Sequence, residues 1–291
     1  MIPAAFGYSA PKTLSEAISL LRQHGPDAKI LAGGQSLIPL MKLRMAAPKH
    51  LVDIGRIGDL SYIREEDGHL AIGALTREAD IDASELIRAK YPILSDTASV
   101  IADPLVRNMA TVGGNLAHAD PANDHPATML ALGAEVVATG PDGARTIKLA
   151  DFFTGLFTTS LNADEILTEI RIPAPPPRSS GAYLKVERKV GDFAAAAVAV
   201  QITLDGVICK EVGIGLTNVG QTPIKAARAE AALRGKAADE ENIQAAARIA
   251  SEEADPSDDL RGPADYKRSL VRVLTARALR RAIARAKGEP S

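Results

Sequence analysis

The chain has 291 residues, of which 46% are hydrophobic. Its 34 lysines and arginines nearly balance its 36 aspartates and glutamates, for a formal net charge of −2 at pH 7. Because a single core rarely grows beyond about 250 to 300 residues, this length predicts two or three compact units. The balanced charge gives no indication of binding to nucleic acid or anionic lipid.

Neither a membrane span nor a secretory signal is indicated. The longest stretch of small apolar residues, 193–202, contains Gln201 and is followed by Asp205. It is far shorter than the ~20 apolar residues that cross a bilayer. The amino terminus lacks a basic region followed by an apolar run. The sequence therefore predicts a cytoplasmic protein.

Cys209 is the single cysteine of the sequence. One thiol supplies neither an intrachain disulfide nor the several thiolates that usually hold an iron–sulfur cluster. Cys209 lies in an alternating segment just after an Asp-Gly turn. We predict a small, half-buried strand residue rather than a nucleophile.

The first third of the chain alternates between helix and strand patterns. Residues 11–25 are predicted to form an amphipathic helix with Thr13 as its N-cap. The predicted strand 28–32 ends at Gly33-Gly34-Gln35-Ser36, so a glycine pair lies where a strand meets a turn. Further strands are predicted at 50–53 and 69–74.

A second glycine pair follows a helical region. The predicted elements here are helices at 77–90 and at 92–108, the latter interrupted by Pro104, then a helix at 124–132 and a hairpin of strands at 135–139 and 145–149. Between them, the second glycine pair lies in Thr111-Val112-Gly113-Gly114-Asn115, which is followed by a predicted polar loop up to Asn123.

A proline-rich connector then divides the chain. The predicted strand 166–172 leads into residues 173–177, which read Pro-Ala-Pro-Pro-Pro and are stiff. Beyond the connector the predicted elements are strands at 182–190, 194–204 and 207–216 and a helix-rich tail at 222–287. This order predicts an antiparallel sheet backed by helices. An apolar stripe within 266–286 favours a packing helix over a basic nucleic-acid helix.

Paired glycines are candidate phosphate ligands, because backbone without Cβ atoms can approach a diphosphate and present its N–H groups. The pair at Gly33 alone would favour a simple tight turn. Two such pairs, followed by Gln35-Ser36 and by Asn115, favour a dinucleotide held between them. Neither a P-loop nor a Rossmann fingerprint is present.

A cluster of His118, Asp120, Asp124 and His125 contains residue types that bind metals. Turn, cap or solvated roles are favoured for the carboxylates, with a cofactor contact for Asp124 second and a metal last. No metal site is therefore predicted.

Several segments resemble the FAD-binding medium subunit of molybdenum hydroxylases, and most of all that of carbon monoxide dehydrogenases. The segments that carry the resemblance are Ala32–Leu37, Ile72–Ala74, Thr111–Asn115, Asp120-Pro121, Asn123-Asp124, Glu165–Pro173, Arg188–Ala194 and Gly213–Asn218. They are spread along the chain, so the resemblance extends over almost its whole length.

The resemblance implies an α+β fold. We expect a two-subdomain FAD-binding fold of the vanillyl-alcohol oxidase type, with an N-terminal subdomain at 1–55 and a second one at 56–173. A smaller C-terminal domain with an antiparallel sheet and helices is expected at 174–291.

The resemblance also implies an FAD site. The residues expected to line it are Ile30, Leu31, Ala32, Gly33, Gly34, Gln35, Ser36, Leu37, Ala74, Ile101, Thr111, Gly113, Gly114, Asn115, Asp124, Leu167, Lys185 and Phe193. Residues 30–37 and 111–115 would line the pyrophosphate, and Asp124 would bind ribose or ribityl hydroxyls.

The remaining implied residues concern the flavin ring. Leu167 and Lys185 would border it, with Ile101 as a further wall. Phe193 stands where a carbon monoxide dehydrogenase typically has tyrosine, so ring packing is retained without the phenol hydrogen bond.

The function implied is electron transfer rather than substrate oxidation. Two [2Fe-2S] clusters in a small partner subunit would reduce the FAD, which would pass electrons to a quinone, NAD or another acceptor. A large subunit with a molybdenum cofactor would oxidise carbon monoxide, an aldehyde, a purine or another N-heterocycle, in a dimer of heterotrimers. The alternatives are a self-contained FAD-dependent oxidoreductase and a nucleotide-binding or assembly module.

Overall fold

The computed structural model of the chain describes residues 2–289, which form three sheets, a small hairpin and a set of helices. The strands are β1 (Gly7–Ser9), β2 (Ala28–Leu31), β3 (His50–Asp53), β4 (Ile63–Glu66), β5 (His69–Gly73), β6 (Glu135–Gly140), β7 (Gly143–Lys148), β8 (Phe153–Gly155), β9 (Thr158–Thr159), β10 (Ile166–Pro173), β11 (Ser179–Val186), β12 (Ala196–Asp205), β13 (Ile208–Thr217) and β14 (Ile224–Lys225). The helices are α1 (Leu14–His24), α2 (Leu37–Lys42), α3 (Glu78–Ala83), α4 (Glu85–Lys90), α5 (Pro92–Ser99), α6 (Pro104–Arg107), α7 (Val112–His118), α8 (Asp124–Ala131), α9 (Ala227–Leu233), α10 (Glu240–Glu253) and α11 (Ala264–Lys287).

The first sheet is parallel, with strand order β1-β3-β2. Helix α1 buries Ala17, Ile18 and Leu21 in the core of this part of the chain. Thr13 caps the helix as predicted, because its hydroxyl accepts the Glu16 amide. Strand β2 then ends at the first glycine pair, which places that pair at the carboxyl edge of a parallel sheet.

The second sheet is antiparallel, with strand order β4-β5-β10-β6-β7. Helices α3 to α8 all lie between β5 and β6 along the chain. Alternate residues of β5 and β10, such as Leu70, Ile72, Ile170 and Ile172, join one buried core with these helices. The second glycine pair therefore belongs to the helical insertion and not to the sheet.

The third sheet is antiparallel, with strand order β11-β12-β13-β14, and it is packed on both faces. Val198, Val200 and Ile202 of β12 belong to the core that includes α11. Their neighbours Ala197 and Ala199 pack with residues of α5 and α8. Burial on both faces explains why β12 is almost uninterrupted in its apolar residues.

Glycines on the second face of this sheet let helix α8 lie directly on β13. A Cβ at Gly213 or Gly215 would overlap the carbonyl oxygen of Ala131 or Ala127, respectively. This close approach fixes the start of α8 against the third sheet. Asp124, the first residue of α8, is thereby placed beside β11.

Two helix predictions differ from the structure. The predicted helix 77–90 is two helices, because the backbone is extended at Ser84 (ψ 118°) and its hydroxyl caps α4 by accepting the Ile87 amide. Helix α7 was not predicted: it spans the second glycine pair and the first residues of the predicted polar loop, and Thr111 caps it by accepting the Gly114 amide. Strands β1, β4, β8, β9 and β14 were not predicted either.

The predictions for the C-terminal part are confirmed in outline. Residues Val271, Leu274, Ala278 and Ala282 of α11 are buried, as its apolar stripe requires. Cys209 lies in β13 as predicted, but it is completely buried, and burial raises the pKa of its thiol to about 11. A thiol in this environment is inert.

No helix within residues 2–289 is both long and apolar enough to cross a membrane. The three sheets fall within 1–55, 56–173 and 174–291, respectively. The division of the chain at those bounds stays a prediction.

Candidate functional site

The loop between β2 and α2 contains a run of unused backbone donors. Within the described part of the chain, the N–H groups of residues 33–37 donate to no protein acceptor. Gly33 is buried, and Gly34 has φ 74°, a left-handed conformation that favours glycine. Since buried amides are almost always hydrogen-bonded, consecutive free donors at a glycine turn are suited to an anion.

The second glycine pair lies in the first turn of α7. Unlike the amides of residues 33–37, the amides here are hydrogen-bonded to the protein. The amides of residues 112–114 donate in order to Thr76 O at 3.1 Å, Ala74 O at 3.0 Å and Thr111 Oγ1 at 3.2 Å. These donors are therefore occupied by the protein itself. The absent side chains of Gly113 and Gly114 make room for Ala74 and for the Thr111 hydroxyl, respectively.

The structure brings the two glycine segments together. A Cβ on Gly33 would overlap the carbonyl oxygen of Met109, and a Cβ on Gly114 would lie 3.9 Å from the Cβ of Ala32. Gly113 packs on Ala74 in the same way. Of the predicted site residues, those at 32–34, 74 and 111–115 thus form one contiguous surface.

Asn115 supplies a second indication of a ligand. Its side-chain oxygen Oδ1 is buried, and no protein group among the described residues donates to it. Its backbone oxygen accepts Asn123 Nδ2 at 2.9 Å, which ties α7 to the start of α8. A buried acceptor without a donor is costly, so a ligand hydroxyl or a water fits here.

A second group of predicted residues centres on Asp124. Its carboxylate accepts the Tyr183 hydroxyl at 2.5 Å and the Lys185 ammonium at 3.0 Å. The Lys185 side chain is only 3% exposed, and it also donates to Val100 O at 3.1 Å and contacts Glu187 Oε2 at 3.2 Å. Lysine side chains usually lie at the protein surface, but that of Lys185 is buried.

Burial controls the protonation of this group. Burial raises the pKa of Asp124, which Lys185 and Tyr183 offset only in part. Burial and the Asp124 carboxylate raise the pKa of Tyr183 well above its usual value. The phenol of Tyr183 is therefore a hydrogen-bond donor at neutral pH.

The remaining predicted residues lie at different depths. Ile101 is buried next to Val100, close to the loop that contains Gly191. Phe193 is 44% exposed, and the guanidinium of Arg261 lies 5.6 Å from its ring centroid. Leu167 is part of the core of the second sheet. Ile101 follows Val100, which accepts the Lys185 ammonium, whereas Phe193 is exposed beside Arg261.

The acidic and histidine cluster has no common centre. Asp120 accepts the Ala122 amide in a turn, as predicted, but the cap role of Asp124 is wrong, since Asn123 is the N-cap. The ring of His118 packs on Phe157, and His125 is completely buried. Residues 2–289 contain no group of three or more metal-binding side chains.

Sequence reasoning missed Tyr183, and it gave no role to the Asn123 side chain or to a pairing of His125 with Glu78. Their side chains meet the site only through tertiary packing, so no local spacing reveals them. The position of Asn123 directly before Asp124 was the one available signal.

Two family profiles match the chain. The FAD binding domain in molybdopterin dehydrogenase matches residues 4–175, and the CO dehydrogenase flavoprotein C-terminal domain matches residues 181–282. The chain belongs to this family of flavoproteins. The predicted family, the α+β fold with an FAD-binding part and a smaller C-terminal domain, and the FAD cofactor are confirmed.

Individual relatives agree over the full length. The chain is 47% identical to the carbon monoxide dehydrogenase medium chain of Afipia carboxidovorans, over 99% of this chain and 100% of that protein. It is 46% identical to the medium chain from Hydrogenophaga pseudoflava, over 98% and 99%. A solved structure of carbon monoxide dehydrogenase from Hydrogenophaga pseudoflava, lacking the Mo-pyranopterin moiety, matches with a TM-score of 0.96 at 48% identity, over 98% of this chain and 99% of that one.

The residues present fit FAD. A diphosphate accepts hydrogen bonds, and residues 33–37 offer consecutive unused N–H donors. FAD also carries hydroxyl groups, and the unused Oδ1 of Asn115 is an acceptor for one. The glycines beside both groups let the two segments pack against each other, because a Cβ on Gly33 or Gly113 would overlap Met109 or Ala74, respectively.

Proposed function

We propose that this chain binds FAD non-covalently and transfers electrons within a molybdenum hydroxylase complex of the carbon monoxide dehydrogenase type. The observation that carries the proposal is the run of free amides at residues 33–37, next to the second glycine segment. The membership of the chain in an FAD-binding family supports it. When bound, FAD supplies the redox chemistry, and the protein supplies placement and electrostatics.

Each part of the site has a proposed role. The amides of residues 33–37 hold the diphosphate between Ile30–Leu37 and Thr111–Asn115, and Asn115 orients a hydroxyl. Asp124 acts on the sugar or ribityl hydroxyls from its buried position, with Lys185 and Tyr183 fixing its carboxylate. Ala74, Ile101, Leu167 and Phe193 are proposed as walls, of which Phe193 is the most exposed.

The partners are proposed from the relation of this chain to carbon monoxide dehydrogenase medium chains. By that relation, we place two [2Fe-2S] clusters in a small subunit and the molybdenum cofactor in a large subunit, in a dimer of heterotrimers. The one cysteine of this chain, Cys209, is buried in β13 and cannot supply the ligands of a cluster, which agrees with this assignment. Carbon monoxide is the proposed substrate of the complex, since the relatives at 47% and 46% identity are named for it. A cytoplasmic location is proposed.

The test of FAD binding is release of the cofactor. Denaturing the purified chain or its complex should free FAD into the supernatant, identified by chromatography against authentic FAD. Flavin that stays with the precipitated chain would contradict non-covalent binding, and the absence of flavin from a well-folded complex would contradict the proposed function.

A further inference from the structure

Glu78 and His125 form an ion pair that is completely buried. Both side chains are 0% exposed, and His125 Nε2 lies 2.6 Å from Glu78 Oε2. Burial alone would lower the pKa of His125, but the Glu78 carboxylate outweighs it, so the pKa is raised. Such pairs contribute little net stability compared with apolar residues of similar volume. Stability alone therefore does not account for this pair, and its position in the fold is the more informative feature.

Glu78 is fixed to the second glycine segment. It is the first residue of α3, and its amide donates to Ala110 O at 3.1 Å. Just before it, the carbonyl oxygens of Ala74 and Thr76 accept amides from the first turn of α7. The carboxylate of Glu78 therefore moves with the segment 110–113.

His125 is fixed to the Asp124 group. It follows Asp124 in the first turn of α8, where a positive charge is disfavoured by the helix dipole. Glu78 supplies the compensating negative charge from another helix. The pair thus joins the start of α3, which is bonded to the segment before the second glycine pair, to the start of α8, which carries Asp124.

Helix α8 does not need this pair for its attachment elsewhere. One turn along, Thr128 Oγ1 lies 2.7 Å from Thr97 Oγ1, a neutral buried contact with α5. The carbonyl oxygens of Ala127 and Ala131 lie against the glycines of β13. What the ion pair adds is a link from α8 to α3.

We propose that Glu78 and His125 are positioning residues, which set the distance between Asp124 and the glycine segment at 110–113 so that FAD fits between them. This inference rests on the proposed FAD site. Neither residue is assigned a contact with the cofactor. Their effect on FAD passes through Asp124 and through the first turn of α7.

The experiment compares four forms of the full chain after removal and return of FAD. His125→Ala deletes the link, Glu78→Gln keeps a hydrogen bond to a neutral imidazole, and Thr128→Val removes the neighbouring neutral contact as a control. The FAD dissociation constant, the visible circular dichroism of the bound flavin and the melting temperature are measured for each.

His125→Ala should raise the FAD dissociation constant about tenfold or more, a change of one decade in affinity, and alter the flavin circular dichroism. Glu78→Gln should stay within about threefold of wild type, because the geometry of the link is kept. Thr128→Val should lower the melting temperature and leave both flavin measurements unchanged. If His125→Ala does not fold, Glu78→Ala carries the same test, since the remaining histidine can become neutral.

Unchanged affinity and circular dichroism in the link-deleting variant, with a lowered melting temperature, would show a merely structural pair. Equal weakening of FAD by Thr128→Val would also overturn the proposal, because the effect would not be specific to the link. A wild-type chain that fails to bind FAD would instead refute the proposed function.

Discussion

Lys185 and Asp124 are held as a charged pair almost out of contact with water, with side chains 3% and 8% exposed. Such a pair persists because each charge neutralises the other and the Tyr183 hydroxyl donates to the same carboxylate. Removing one partner of a buried pair typically costs about 3–5 kcal/mol, because the other charge is left uncompensated. Lys185 is thus a residue on which both folding and the site depend.

Lys185→Met should lower the free energy of unfolding by about 3 kcal/mol at neutral pH. Burial already raises the folded pKa of Asp124, and loss of the lysine raises it further. Because the folded pKa is raised, the charged carboxylate destabilises the folded state fully at pH values above that pKa. Below it, protonation removes the charge and with it the destabilisation. The deficit of the variant should therefore grow as the pH rises through the folded pKa of Asp124 and shrink in acid.

Urea unfolding of both proteins across a pH series measures this deficit. Lys49→Met is the matched control, since Lys49 pairs with Asp27 at 3.0 Å on the open surface and should matter little at any pH. A deficit for Lys185→Met that is independent of pH would contradict the role given to Asp124.

Gly34 has a left-handed backbone conformation and lies in the loop that is proposed to bind the diphosphate. Gly34→Ala should cost about 1–2 kcal/mol of stability, the usual penalty of a Cβ at positive φ, and should also lower FAD occupancy. Gly68, in the turn between β4 and β5, has φ 78° with open space around it, so Gly68→Ala carries the same penalty without touching the site. FAD occupancy and melting temperature, measured for both variants, separate the loss of FAD binding from the loss of stability. Equal occupancy in both variants would remove Gly34 from the site.

Gly33 and Gly113 differ from Gly34, because other parts of the backbone fill the space where their side chains would lie. A Cβ at Gly33 or Gly113 would overlap backbone or the Ala74 side chain, so larger residues there should harm folding as well as FAD binding. The sequence located these positions by their pairing. It could not show that each glycine also touches another segment of the chain, because Gly33 meets Met109 only in the folded protein.

At the level of elements, local chemistry predicted helix α1 and its Thr13 cap, because both depend on neighbouring residues. Helix α7 was missed, since two glycines lower helix propensity by about 1 kcal/mol each. The structure offsets that cost with the Thr111 cap and with bonds from its first amides to Thr76 and Ala74. Those acceptors lie 36 and 39 residues earlier in the sequence, on the segment between β5 and α3, so no local pattern reveals them.

Arg285 of helix α11 makes a charged contact with Asp96 of α5. Arg285 donates to both carboxylate oxygens of Asp96, at 2.7 and 3.1 Å, and to Gly181 O at 2.8 Å. Arg285→Gln should lower the free energy of unfolding by about 2 kcal/mol, as expected when a charge-assisted bidentate contact is lost. It should also speed proteolysis near the connector at 173–177.

Arg280→Gln is the control on the same helix. Arg280 pairs with Glu240 at the surface, so its loss should have little effect on unfolding or on proteolysis. If the two variants behave alike in chemical denaturation, Arg285 does not join the C-terminal part to the rest.

At the scale of the whole molecule, the third sheet is covered on one face by its own helices and on the other by α5 and α8. The glycines of β13 and the alanines of β12 permit that second contact. The C-terminal part is therefore a wall of the proposed site, because Tyr183 and Lys185 come from β11 and Asp124 from α8. Composition and patterning predicted the sheet, but not that its second face would complete the site.

The site that β11 and α8 form around Asp124 also agrees with the assignment of substrate oxidation to a partner subunit. The side chains gathered around Asp124 form ion pairs and hydrogen bonds with one another. They can place and charge-balance a flavin. The electron donor is proposed to be a partner subunit.

Substrate-dependent bleaching of the flavin absorbance is the most direct test of this account. The chain loaded with FAD is mixed anaerobically with carbon monoxide, and then with an aldehyde, a purine and another N-heterocycle. The chain alone should stay oxidised, whereas adding the cluster-bearing and molybdenum-bearing subunits should bleach the flavin with one of these substrates. Bleaching of the metal-free single chain by any of them would contradict the electron-transfer role and favour a self-contained flavin oxidoreductase.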